Sequence, residues 1–301
     1  MKLLDLANFN KARKFIEINA RPLDKALFDY HFSGAPIDKF FSELAKYQNS
    51  DGGFAYGLEP DIRTPISTNI TTTHAFQYLS KINEFPEFMN KAVDYLADNF
   101  SEKYNKWLAV NPQVNESPRA VWWNYDETKQ LDDASWGNPT VEIIGYLTKF
   151  NNSFDKSKLL QLQQKTVTRL LDSDEFDFHE LFCYKRFIEI SGYEVTTDMV
   201  NKLNHLILKA VKKDLSKWDS YGAHPLDFVD SPSSSLYQTL LEDVNNELDY
   251  VIGKQEGDGS WLPNWEWYQY PEDWKVAKVE LAGKITLDKL LKLKSFSRLS
   301  L

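Results

Sequence analysis

One cysteine, Cys183, in 301 residues excludes internal disulfides and any all-cysteine metal cluster, and suits a reducing compartment. No stretch approaches the ~20 apolar residues that a membrane-spanning helix requires. The opening MKLLDLANFNKARKF puts polar and charged residues where a secretory apolar segment would lie, so the expectation is a cytoplasmic chain with no membrane span. Positive charge is also short. The 35 Lys and Arg against 44 Asp and Glu give a net charge of −9, with no long basic face, which argues against a nucleic-acid partner. There is no nucleotide-binding Gly-rich loop, no Gly-x-Ser-x-Gly elbow and no His-Glu-x-x-His pair, so phosphate-cofactor, serine-hydrolase and zincin readings drop and no cofactor is indicated.

Strand signals are scarce, whereas apolar residues at three- and four-residue intervals are abundant. The pattern predicts an all-α chain, with helices over 38–48, 73–82, 88–100, 139–150, 157–171, 178–190, 197–215, 233–255 and 272–293, the last readable as two, and an N-terminal helix near 8–30. Two kinds alternate. Segments such as 88–100 and 197–215 carry polar residues around much of their circumference and should have a wet face, whereas 139–150 and 178–190 are apolar nearly all round and should be enclosed. Alternating wet and enclosed helices suit two layers of helical hairpins in one domain over 1–301, with an inserted aromatic loop at 104–137.

The stretch YQNSDGGFAYGLEPD at 47–61 has a near copy, GKQEGDGSWLPNW, at 253–265. Gln48, Asp51 and Phe54 match Gln255, Asp258 and Trp261 at every offset. Each Asp-Gly should end a helix where positive φ is needed, with the following ring folded back onto the hairpin it closes. Weaker turns near Ser101, Asp172 and Lys217 fill the interval and give a repeat of roughly 45 residues, interrupted by the insertion.

Gln255, Gly259 and Trp261, with Gln48, Gly52 or Gly53, and Phe54 as the second copy, resemble the Gln-to-Trp repeat of the terpenoid cyclase and protein prenyltransferase superfamily. DGGFAYGLEPDIRTP, NPTVEIIGYL, HPLDFVDSP and VELAGKITLDKL are similar to an uncharacterised bacterial branch of that group. The resemblance covers about residues 37–294 and implies an α/α toroid of about five hairpins. In such a toroid the inner helices surround a cavity for an apolar or isoprenoid-type molecule, and their N-terminal ends form its mouth. The chain departs from the superfamily where its chemistry is usually carried. It has no Asp-x-Asp-Asp acid, since Asp172-Ser173-Asp174-Glu175 reads as a solvated turn, and Asp132-Asp133 lacks the third carboxylate of Asp-Asp-x-x-Asp. Prenyltransferases hold zinc with Asp, Cys and His. Here Asp177, His179 and Cys183 are the nearest set, with His179 and Cys183 one helical turn apart, but the commoner reading of both is structural.

The candidate catalytic residues are Glu59 and Asp61 in GLEPD, Glu142, His179, Glu180 and Asp227. They sit at, or just inside, the starts of predicted inner helices and offer general acid and base groups. Trp122, Trp123, Trp136, Asn138, His224 and Trp265 are the candidate ligand-binding residues, as stacking rings and hydrogen-bonding groups for a small molecule. Each also has a plain structural use: Glu59 and Asp61 can cap a turn around Pro60, and Asp227 the next helix. Glu142 and Glu180 lie inside apolar helical stretches, so they require either protonation or a cationic partner, for which Arg119 and Lys278 are candidates. Three functional readings follow: a cavity for an isoprenoid-type molecule, a carbohydrate-active enzyme using paired carboxylates and Trp platforms, and a non-catalytic scaffold.

Overall fold

The computed structural model describes residues 1–82, 84–150 and 153–301 and is all-helical apart from two short strands. In chain order the elements are β1 (Leu4–Asp5), α1 (Leu6–Asn19), α2 (Pro22–Ser33), α3 (Ile37–Ala45), α4 (Asn69–Leu79), α5 (Met89–Asp98), α6 (Gly137–Phe150), α7 (Lys156–Asp172), α8 (Phe178–Ile190), α9 (Thr197–Ala210), α10 (Pro225–Phe228), α11 (Leu241–Gly253), α12 (Pro271–Ser295) and β2 (Leu299–Ser300).

Local chemistry sets most boundaries. Asp5, Thr68, Asp155 and Asp177 each cap a helix by accepting a backbone N–H of the first turn, and α2 ends at Gly34, with φ at +69°. The single helix expected over 8–30 is two, because a residue before proline is pushed out of the helical region: Arg21 is extended at ψ 151°, and Pro22 starts α2. The helix expected over 197–215 stops at Ala210, and that over 233–255 begins only at Leu241, after a run of turns. The segment 272–293 falls within one helix, α12, of 25 residues. The loop at 104–137 contains short 3-10 turns rather than longer helices.

The chain divides into two compact units, residues 45–210 and residues 1–44 with 211–301. In the first, α6 packs on α4 and α8 to form one row, while α5, α7 and α9 lie behind it. The row is parallel where α6 meets α8: Gly137 at the start of α6 lies against Glu180 in the first turn of α8, and Gly145, two turns on, against Phe187. Burial follows the alternation read from sequence. Every residue of α6 from Pro139 to Leu147 is buried, whereas α9 buries only Met199, Leu203, Leu206 and Ile207. Stacked pairs Phe76–Tyr146 and Phe85–Phe150, with centroids 4.2 and 4.1 Å apart, fill the α4–α6 contact.

In the second unit α12 packs on α1 and α2, α10 packs on α11, and β1 pairs in parallel with β2. Gly283 of α12 is seated on Ala20, where an added Cβ would come within 2.6 Å of the alanine methyl. Arg21 and Asp24, both buried, pair at 2.8 Å beside that contact.

Each unit carries one copy of the Gln-to-ring turn, built with the same bonds. Gln48 Nε2 donates to the Gly52 carbonyl at 2.9 Å and to that of Phe88 at 3.2 Å. Gln255 Nε2 donates to Gly259 at 2.9 Å and to Asn8 at 3.0 Å. Asp51 accepts the Gly53 N–H and Asp258 the Ser260 N–H. Gly52 and Gly259 have φ of +90° and +95°, and each rests on the backbone of a neighbouring helix, at Lys91 of α5 and Lys11 of α1. The Phe54 and Trp261 N–H groups donate to threonine hydroxyls, Thr72 in α4 and Thr286 in α12. Trp107 repeats the last bond without the Gln or the Gly. Its N–H donates to Thr140 of α6, and its indole N–H to the Leu96 carbonyl in α5, as that of Trp261 does to Val251 in α11.

Candidate active site

In the 45–210 unit a line of buried polar groups runs across α4, α6 and α8. It begins at Glu59, in a turn closed by the Ile62 N–H donating to the Glu59 carbonyl. The long loop is laid against this segment: Arg63 N–H donates to Pro118, and Ala120 N–H to Asp61. This backbone ribbon brings Trp123 over Glu59, and the indole N–H donates to Oε1 at 3.2 Å. The other carboxylate oxygen, Oε2, lies 2.7 Å from Nε2 of His74 on α4.

His74 Nδ1 lies 2.9 Å from the Ile70 carbonyl, which can only accept, so Nδ1 carries a hydrogen. A close contact between Nε2 and a carboxylate oxygen needs one further proton between them. The His74 ring is thus held at both nitrogens, with Glu59, only 6% exposed, against Nε2.

Gln77, one turn along α4 on the same face, continues the line to Glu142 of α6 at 3.2 and 3.3 Å. Glu142 is buried and also accepts from Arg186 of α8 at 2.9 Å and from the Tyr146 hydroxyl at 3.3 Å. Burial raises the Tyr146 pKa, and the charge of Glu142 adds to that rise. Farther along, Cys183 donates weakly to Asn138 Oδ1 at 3.7 Å. Burial, reinforced by Glu142, pushes its thiol pKa well up, so Cys183 is a thiol and not a ready nucleophile.

Glu180 belongs to a separate pair. Arg169 of α7 grips it through Nε at 3.0 Å and Nη2 at 3.4 Å, and also reaches Asp133 at 3.3 Å. Burial raises the Glu180 pKa while Arg169 opposes the rise. The cations that hold Glu142 and Glu180 are thus Arg186 and Arg169. Arg119 instead donates to the Val114 and Ser117 carbonyls.

The remaining candidates divide by surroundings. Asp61 is buried in the ribbon beside Glu59, Trp123 is half-buried, and Trp122 is exposed. Trp136 is buried, with its indole N–H on the Asn105 carbonyl and Lys165 over the ring, so it serves packing rather than a ligand platform. His179 pairs with Asp177 at 2.7 Å on the outside of α8, whereas Cys183 faces inward. Among the described residues, no three His, Cys, Asp or Glu side chains gather to hold a metal ion.

In the other unit Asp227 caps α10 by accepting the His224 N–H, and Glu247 of α11 accepts the Leu226 N–H at 2.7 Å and lies 3.7 Å from His224 Nδ1. Burial disfavours the His224 cation, but Glu247 and Asp227 outweigh it and raise the imidazole pKa. Trp265 packs edge-on to Tyr221.

His74, Gln77, Arg186, Arg169 and Glu247 were not among the candidates read from sequence. Packing alone marks two of them: His74 and Gln77, three residues apart, are the partly exposed positions of an otherwise buried α4. Compared with protein-family models, with curated proteins and with solved structures, the chain matches none.

Proposed function

We propose that this chain is an α/α-toroid enzyme that performs acid–base chemistry on a small molecule at Glu59 and His74. The single observation that carries the reading is the 2.7 Å contact between His74 Nε2 and Glu59 Oε2, where both groups are mostly buried and fixed by a second bond each. Such a pair can deliver its proton to a departing oxygen or nitrogen and take one back from an attacking hydroxyl or water. Glu142 and Glu180 act differently: each is locked to an arginine and serves to position the inner row.

The toroid is supported by the parallel row with its second layer behind it, by the repeated turn, and by the packing of α12 on α1. It is also the architecture that the Gln-to-Trp resemblance implies. Polar groups on the accessible face of α4 favour a hydroxylated substrate over a hydrocarbon one, because His74 and Gln77 are its partly exposed residues.

The test is turnover by purified protein of a panel of glycosides, with farnesyl diphosphate as the isoprenoid contrast. Glu59→Gln and His74→Gln should each lower kcat by ~100-fold or more while the thermal melt holds, the size expected of a positioned proton-transfer group. Full activity in both variants on whichever compound turns over would refute the assignment.

A further inference from the structure

Two lysines close together in the long loop have opposite surroundings. Lys103 has its side chain 65% exposed and pairs with Glu127 at 2.7 Å, whereas Lys106 is only 4% exposed. Lys106 Nζ donates to Ser135 Oγ at 2.9 Å and to the Asp132 carbonyl at 3.2 Å. The Ser135 hydroxyl gives its own hydrogen to the Asp132 carbonyl at 3.0 Å, so its oxygen accepts from the lysine. Among the described residues, no carboxylate comes within ion-pair distance of Lys106 and no third acceptor meets it. Two acceptors satisfy the two N–H groups of a neutral amine and leave its lone pair in the remaining direction. Burial lowers the Lys106 pKa and the charge of Lys165 adds to that, against the opposing charges of Asp132 and Asp133.

The backbone that carries this amine is pinned on both sides. Lys106 and Ser101 exchange N–H to carbonyl bonds at 3.4 and 3.1 Å. The Asn105 carbonyl accepts the Trp136 indole N–H, and Thr140 accepts the Trp107 N–H. Lys106 borders a cavity of about 100 Å³, lined also by Lys103, Tyr104, Gln130, Asp133 and Trp136. Since one water occupies roughly 30 Å³ of liquid, this space suits a molecule of about three to six heavy atoms. Its lining is mostly polar, which favours a molecule with hydroxyl groups over a hydrocarbon.

We infer that Lys106 is a nucleophilic amine and that the cavity beside it takes a small hydroxylated aldehyde, which the lysine holds as an imine. The Nζ lone pair attacks the carbonyl carbon, and a C–N bond forms as the C=O π pair moves onto oxygen. Both N–H hydrogens then leave with that oxygen as water, so C=N remains and nothing is oxidised or reduced. Asp133, which lines the cavity and is held by Arg169 at 3.3 Å, is a carboxylate able to carry these protons. A small anion would instead require Lys106 as a cation, which its burial between two neutral acceptors disfavours. The site shares no residue with the Glu59–His74 pair and does not depend on it.

Reductive trapping on the full chain tests this site, with glycolaldehyde and sodium cyanoborohydride at neutral pH and peptide mass mapping at every lysine. Lys106 should be alkylated about fivefold faster than Lys103 or more, because a lowered pKa raises the neutral fraction tenfold per unit. Its rate should saturate with glycolaldehyde, as binding in a cavity requires, and should reach its maximum at lower pH than that of Lys103. In urea the advantage should vanish. Propanal, of similar size but without the hydroxyl, should react more slowly than glycolaldehyde at Lys106 and equally at Lys103. Labelling of Lys106 that stays slower than that of Lys103, or that rises linearly without saturation, overturns the nucleophile. Slow labelling that phosphate suppresses further marks an anion site and overturns it as well, and a preference for propanal overturns the hydroxylated substrate.

Discussion

The turns at Gln48–Phe54 and Gln255–Trp261 make the same hydrogen bonds in two different units, yet only the first leads into the polar line of Glu59, His74 and Glu142. What the copies share is the Gln amide bridging two carbonyls, the Asp accepting from the backbone and the glycine seated on a neighbouring helix. What differs is the ring and whatever follows it. The second copy adds an indole bond to Val251 and continues into an aromatic loop, and the first continues into Tyr56 and Glu59. The shared part is therefore scaffold, and chemistry is carried by segments grafted after it.

The largest expected effect that could break this comparison comes from the glycines. An added Cβ would come within 2.2 Å of the Lys91 carbonyl oxygen at Gly52 and 2.3 Å of the Lys11 carbonyl carbon at Gly259. Gly52→Ala and Gly259→Ala should each cost about 3 kcal/mol or more, from left-handed strain plus overpacking against backbone. Urea unfolding measures it, and a near-neutral result at either site would show that the two turns are not equivalent. Gln48→Ala and Gln255→Ala come next, at about 1–3 kcal/mol each, because each leaves two carbonyls short of a donor. Equal losses sharpen the equivalence; a loss confined to one copy breaks it. The smallest effect belongs to Trp261→Phe, which makes the second ring resemble the first and should cost about 1 kcal/mol for the Val251 bond. Phe54→Leu, with no polar atom to lose, isolates the packing contribution of the ring in the same assay.

Much of the scaffold is legible in the sequence because it is written locally. Helix periodicity and the Asp-Gly turns depend on residues within a few positions of one another: the chain is helical as expected and Gly52 and Gly259 have positive φ, although both turns lie five or six residues beyond the helices they were expected to end. The break at Pro22 was legible too, by the restriction on Arg21, but the apolar pattern continues across it and masks it. Trp107 escapes sequence reading because it keeps the bonds to Thr140 and Leu96 while lacking the Gln and the Gly that mark the other copies.

The candidate site is half legible. A carboxylate in an apolar stretch announces that it needs a partner, which singled out Glu142 and Glu180. Which partner it finds depends on helix packing, and Arg186 lies 44 residues from Glu142 while Arg169 lies 11 residues before Glu180. His74 gives no such notice: a histidine among threonines on α4 acquires meaning only when the Glu59 turn is laid beside it.

The bond from Gln255 to the Asn8 carbonyl, 247 residues away, bears on how the molecule is made. A ribosome releases α1 long before the turn that sits on it exists. Until that turn emerges, the amphipathic first helix must wait without its partner, exposed to chaperones or to misplaced contacts, so completion of this unit is a late event governed by the far end of translation.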